Sequence, residues 1–135
     1  MRYFPSDNGC WSTKVNFVDE NNVLVGYDFS ASCCESFGWY ISDKLTTDFN
    51  DCLYDENVCD ETLNESLKDW TFDKGFFEKL SPNDSGSYNE DNRVAFRLVN
   101  GDKELFLHLY NIHNGYYSHG FKFSEDGKTL ETGHL

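Results

Sequence analysis

Apolar and polar residues alternate with period two along the readable parts of this chain, as they do in strands with one buried face. Lys14 to Val18 and Val23 to Phe29 are two such runs, and the Asp-Glu-Asn-Asn between them is turn-forming, so the pair predicts a hairpin. "SASCCESFGWYISDKL" follows, with small residues and Gly38 that suggest a strand end or bulge leading into a bend. From Arg93 the alternation sharpens: Val94, Phe96 and Leu98 interleave with Arg93, Ala95 and Arg97, and "NGD" reverses the chain into Leu105, Leu107 and Leu109. These two strands share an aliphatic face. The opposite face collects Arg93, Arg97, Phe106, His108 and Tyr110, the most basic grouping in the chain.

A third strand, Tyr116 to Phe123, follows Asn114-Gly115, and its register decides what the intervening histidines can do. A two-residue type I′ turn would set Lys122 beside Leu107 and spoil the core face. A three-residue loop, His113-Asn114-Gly115 with Gly115 as a bulge, sets Leu107 opposite Phe121 and Leu105 opposite Phe123, and is the expected register. Tyr117 and His119 then fall on the Leu109 side, while His108, Tyr110, Tyr116 and Ser118 fall on the exposed side. Glu125 to Lys128 reads as a last turn before an unpatterned tail. Earlier, "DETLNESLKDW" offers Asp60 as an N-cap and Leu63, Leu67 and Trp70 on one helical face, "DWTFD" reads equally as a strand, and Ser81 to Asn92 is polar loop. The expected fold is a single mainly β domain over 1–135, α+β at most. Antiparallel hairpins form one sheet or a small sandwich with one or two short helices.

Composition adds large rings to this picture: Phe, Tyr and Trp make up 17% of 135 residues although the mean hydropathy is −0.64. A small core built of rings follows. The net charge of −13 argues against direct nucleic-acid binding, which needs clustered Lys and Arg. Charge is also uneven, with ten carboxylates against Lys44 and Lys68 from Asp43 to Asp73, and four cations against two carboxylates from Asn92 to Phe123. No apolar run is long enough for a membrane helix. The five cysteines are an odd number with one adjacent pair, and "MRYFPSDNGC" lacks an apolar signal core, so free thiols in a reducing cytoplasm are expected. In that compartment the sequons at Asn64 and Asn83 carry no meaning. No Cys-x-x-Cys pair exists, so neither a metal nor a cofactor is expected.

Three short motifs stand in order: "CCES" at Cys33 to Ser36, "WTF" at Trp70 to Phe72 and "NGYYS" at Asn114 to Ser118. Together they resemble a family of small uncharacterised domains common in bacteriophage and bacterial genomes, with an early Cys-Cys-Glu motif and a late Asn-Gly-Tyr-Tyr-Ser motif. The resemblance runs from about Val23 to Phe123 and implies a compact sheet-rich domain and a phage-type accessory protein made in the host cell. It implies no activity. This chain departs from the pattern by a longer, more polar segment before Arg93, and by His113 and His119 beside the late motif.

The candidate chemistry follows from these placements. Arg93, Arg97, His108, Tyr110, His113, Asn114 and Tyr116 offer guanidinium groups, ring faces and fixed polar groups, which suit a small anionic, nucleotide-like ligand. The leading expectation is therefore a counter-defence or host-modulating protein that sequesters such a signal without turnover. A second reading is an acidic inhibitor or nucleic-acid mimic that docks Asp43 to Asp73 on a basic host protein. The third is a histidine-dependent hydrolase of a small phosphorylated ligand, which requires the type I′ register to bring His108 and His119 together. No serine elbow, Walker loop or His-Glu-x-x-His is present, so no catalytic residue is assigned. An open sheet edge also offers pairing with a second copy.

Overall fold

The computed structural model describes residues 1–5, 13–30, 35–80, 90–113 and 117–135, and only the backbone of Glu90 and His113. Alternation produces two antiparallel five-stranded sheets. The first contains β1 (Arg2–Pro5), β2 (Lys14–Val18), β3 (Val23–Asp28), β9 (Gly120–Glu125) and β10 (Lys128–His134), in the order β1-β2-β3-β9-β10. The second contains β4 (Ser36–Ser42), β5 (Cys52–Asp55), β6 (Thr71–Leu80), β7 (Glu90–Asn100) and β8 (Lys103–His113), in the order β5-β4-β8-β7-β6. A helix, α1 (Asp60–Leu67), and a 3-10 turn (Phe49–Asp51) complete the described elements. The mainly β expectation holds, in its sandwich form.

Two of the three expected hairpins form. β2 pairs with β3, and the turn between them is held by Asp19, whose carboxylate accepts from Asn21 N and Val23 N at 2.9 Å each and from Phe72 N of β6 at 2.9 Å. One buried side chain thus ties the turn of one sheet to a strand of the other. β7 pairs with β8 and the expected aliphatic face forms, Val94 opposite Leu109, Phe96 opposite Leu107 and Leu98 opposite Leu105. Gly101, at φ 60, takes the first loop position, where a type II′ turn needs glycine.

The expected hairpin between the eighth and ninth strands does not form. β8 is bonded on one edge to β7 and on the other to β4, with Leu107 opposite both Phe96 and Ile41. β9 instead pairs with β3 and β10, so Phe121 lies opposite Tyr27 and Gly133. The chain crosses from one sheet to the other between them, and the loop residues Asn114, Gly115 and Tyr116 lie outside the described residues. The apolar face of β9 still meets the second sheet, but across the sandwich and through β7. Phe96 packs on Phe121 and Phe123 of the first sheet with centroids 6.1 and 5.1 Å away, and on Phe77 at 5.6 Å.

Two further expectations shift. The tail is not unpatterned: β10 is an edge strand, reached through Asp126 and Gly127 at φ 48 and 81, the double positive φ of a type I′ turn. In α1 the N-cap position belongs to Cys59 and Asp60 is the first helical residue, where it and Glu61 face the positive end of the helix dipole. Leu63 and Leu67 are fully buried as expected, and Trp70 packs against the core beyond the helix end. Asn64 accepts from Tyr3 N at 2.7 Å, fixing α1 on β1.

Truncating the ring that bridges the sheets should therefore weaken the whole domain. Phe96→Ala is expected to cost about 3–5 kcal/mol, read as a lower urea midpoint with an unchanged slope. A loss below about 1 kcal/mol would contradict this packing.

Candidate functional site

The face singled out by its sequence is assembled on the outer side of the second sheet. Across the strands, Arg93 stands opposite Tyr110, Ala95 opposite His108 and Arg97 opposite Phe106. β4 adds Gly38 beside Tyr110, Tyr40 beside His108 and Ser42 beside Phe106. This face is not open. The segment 43–51, between β4 and β5, lies over it: Tyr40 Oη donates to Thr46 O at 2.8 Å, Arg93 Nη1 donates to Thr47 O at 2.5 Å, and the Phe49 ring packs on Tyr40 and Tyr110 at 5.2 and 5.0 Å. Lys44–Asp51 (2.8 Å) and Thr46 Oγ1 donating to Asp51 (3.1 Å) hold the segment in shape.

Both guanidinium groups meet carboxylates of this chain. Arg93 is bidentate to Asp91, Nε to Oδ1 at 2.6 Å and Nη2 to Oδ2 at 2.7 Å, and its guanidinium carbon lies 4.6 Å from the centre of the Phe49 ring. Arg97 binds Asp73 through Nε at 3.0 Å and also through Nη2, and lies over Phe76 at 4.9 Å. That guanidinium holds the Asp73 carboxyl below its usual range. A phosphate reaching Arg93 would have to displace Asp91 and the covering segment.

His108, expected on the exposed side, is fully buried. Its ring stacks on Tyr40 with centroids 4.4 Å apart and planes 4° from parallel. Nδ1 stands 3.5 Å from Ser42 Oγ, whose hydrogen goes to Lys44 O at 2.6 Å, so a bond there places the imidazole proton on Nδ1. Nε2 then carries a buried lone pair with no hydrogen-bond partner among the described residues. Burial pushes the pKa down to about 4, with Arg93 acting in the same direction, so the ring is neutral at pH 7 and presents no face to a substrate.

His119 is on the core side, as expected, but Tyr117 is exposed because the chain is crossing between sheets there. Tyr27 Oη donates to Tyr110 O at 2.8 Å and lies 3.3 Å from His119 Nδ1, so that contact takes its proton from the imidazole. His119 Nε2 faces Glu35 Oε1 at 3.7 Å with both side chains buried. Phe37 meets the imidazole edge-on at 4.6 Å. Asn111 Nδ2 donates to Tyr117 O and Leu135 O at 3.0 and 3.1 Å, and His119 and Leu135 exchange backbone bonds at 2.9 and 2.8 Å. Glu35 of the early motif thus meets the residue just after the late one. His108 lies on the outer face of the second sheet and His119 between the sheets, so they form no catalytic pair. The side chains of His113, Asn114 and Tyr116 lie outside the described residues, as do Cys33 and Cys34.

Sequence reasoning missed Phe49, Cys52, Asp55 and Glu56, which meet Tyr40 and Tyr110 around a cavity of about 70 Å³. Gly38 makes room for this arrangement: a Cβ there would lie 2.7 Å from a Glu56 carboxylate oxygen and 3.1 Å from Tyr110 Oη. Burial, with Asp55 next, raises the Glu56 pKa, and burial, with Glu56 next, pushes Tyr110 up to about 12. Among the described residues no three His, Cys, Asp or Glu side chains converge as a metal-holding group, and no helix is long and apolar enough to cross a membrane. Comparison of the chain with protein-family models, curated proteins and solved structures finds no match.

Two predictions follow the burial of these groups. Arg93 is 5% exposed, and Arg93→Ala, by stranding Asp91 in a partly buried pair, should lower stability by about 3–5 kcal/mol in chemical denaturation. Arg97, 35% exposed, should lose no more than about 1 kcal/mol on the same change, and equal losses would contradict the assignment. Because the folded state lowers the His108 pKa from 6.5 to about 4, its contribution is complete above pH 6.5 and is lost as pH falls toward 4. Stability should fall across that interval with a component approaching about 1.4 kcal/mol per pH unit. That component should vanish in His108→Gln; unchanged pH dependence in the variant would refute the burial argument.

Proposed function

We propose that this protein acts by binding without turnover, docking its acidic segment onto a basic partner protein. The observation that carries this reading is the exposure of Leu45, Phe49 and Leu53, at 42, 44 and 50%, within the 43–56 stretch that also carries Asp43, Asp48, Asp51, Asp55 and Glu56. Large apolar side chains ringed by charge are the anatomy of a docking patch, with apolar anchors at the centre and a polar rim. β5, which carries Leu53, is an edge strand of its sheet. The small-anion reading draws less support from the geometry. Arg93 and Arg97 are engaged by Asp91 and Asp73, and the cavity beside Tyr110 is far below the roughly 300 Å³ at which ligand pockets begin. Under the resemblance to phage and bacterial domains, the partner would be a host protein.

Immobilised protein should retain basic proteins from a host lysate, with retention falling as ionic strength rises. Leu53→Asp, a change at an exposed position, should reduce retention about tenfold or more while leaving the unfolding midpoint unchanged. Capture that is indifferent both to salt and to Leu53→Asp would overturn the reading.

A further inference from the structure

Resting on the docking reading, a narrower assignment can be made within the same surface. We propose that the cavity bounded by Phe49, Tyr40, Tyr110, Asp55 and Glu56 is a receptor for one cationic side chain, a lysine ammonium or an arginine guanidinium presented by the partner.

Three features of the cavity support this chemistry. Its size is right for a charged head group and the last carbons of its stem: about 70 Å³ is a little more than the room two waters occupy, and a nucleotide does not fit. Its walls are rings on one side, where Phe49 packs edge-on to both Tyr40 and Tyr110 and all three line the space. Its other side is anionic, because Asp55 and Glu56 both line it. Aromatic faces opposed by carboxylates attract cations and repel anions.

The cavity is also incomplete in a way that a cation would complete. Glu56 is an exposed residue at the β5 end, yet its carboxylate is turned in over Gly38 and the Tyr110 hydroxyl. Burial and the neighbouring Asp55 both disfavour its charged form. A bound ammonium reverses both effects, since it pairs with the charge in the place where water is scarce. Arg93 already shows how this sheet face treats a guanidinium from within the chain, setting it over the Phe49 ring and pairing it with a carboxylate. The cavity repeats that combination with Tyr110, Asp55 and Glu56, but here no cation lines it among the described residues.

The test uses small probes with the full chain. Butylammonium and butylguanidinium chloride, with butanol as the neutral control and butyrate as the anionic one, are titrated while the ring resonances of Phe49, Tyr40 and Tyr110 are followed. Saturable shifts with the cations alone, weakened at least about fivefold by Glu56→Gln, are the expected result. Equal response to butanol, or no saturable response to either cation, would overturn the assignment. The Glu56→Gln chain is checked by its unfolding midpoint, and if it is unstable the Glu56 carboxyl is titrated in the unaltered chain instead. There the cations should lower its pKa and butanol should not; no change with the cations counts against the receptor. The two readings fail separately: salt-sensitive capture lost in Leu53→Asp with no cation response leaves docking standing and removes the receptor. Cation binding without capture of any basic protein does the reverse.

Discussion

The structure depends on β8 being the middle strand of its sheet and buried on both faces. Its inner residues, Leu105, Leu107 and Leu109, fill the core against the first sheet, while its outer residues, Phe106 and His108, are also buried and Tyr110 is half-buried. An antiparallel sheet can leave its outer face to water, but here a further segment of the chain covers these rings. Segment 43–51 does this, and in doing so it brings Phe49 onto Tyr40 and Tyr110 and turns Thr46 and Thr47 carbonyls toward Tyr40 and Arg93. The acidic surface and the aromatic cavity are consequences of that cover.

Charge is distributed in keeping with this arrangement. Lys14, Lys44, Lys74, Arg93 and Arg97 are each within 3 Å of a carboxylate of the same chain. These five cations are therefore neutralised locally, most firmly at the buried Arg93–Asp91 pair, within a chain that carries an excess of carboxylates. The exposed pairs contribute little to stability, but they decide which sign of charge a partner meets. An anion-binding face would need the opposite arrangement, with guanidinium groups left for the ligand.

Much of the local structure was legible from residue pattern. The β2–β3 and β7–β8 hairpins could be read because their turn residues and their alternation lie within one stretch of chain. Leu63 and Leu67 were legible as the buried side of α1 for the same reason, since helical spacing is a local property. That Arg93, Arg97, Phe106, His108 and Tyr110 share one face was legible, and the pairing of β7 with β8 sets them side by side. The exposure of that face was not. His108 and Arg93 read as polar residues on a solvent face, and nothing nearby in sequence indicates that residues 43–51 would cover them. The acidic segment was not legible for a related reason: Phe49 and Leu53 stand among so many carboxylates that their part in a ring cluster and an edge strand leaves no periodic trace.

The sequence by itself determined the strands, which side of most of them is apolar, the two local hairpins and the surplus of negative charge. Tertiary structure alone decided that β8 and β9 belong to different sheets, that Phe121 meets Phe96 and Phe77 through the core instead of lying beside Leu107, and that His108 lies beneath a cover. The reason is that alternation records only whether a side chain faces apolar surroundings. A phenylalanine on an adjacent strand and one on the opposed sheet provide the same apolar environment, so the pattern is identical for both. Choosing between them requires the backbone hydrogen bonds of β4 and β3, which lie some 60 to 100 residues away from the strands they complete.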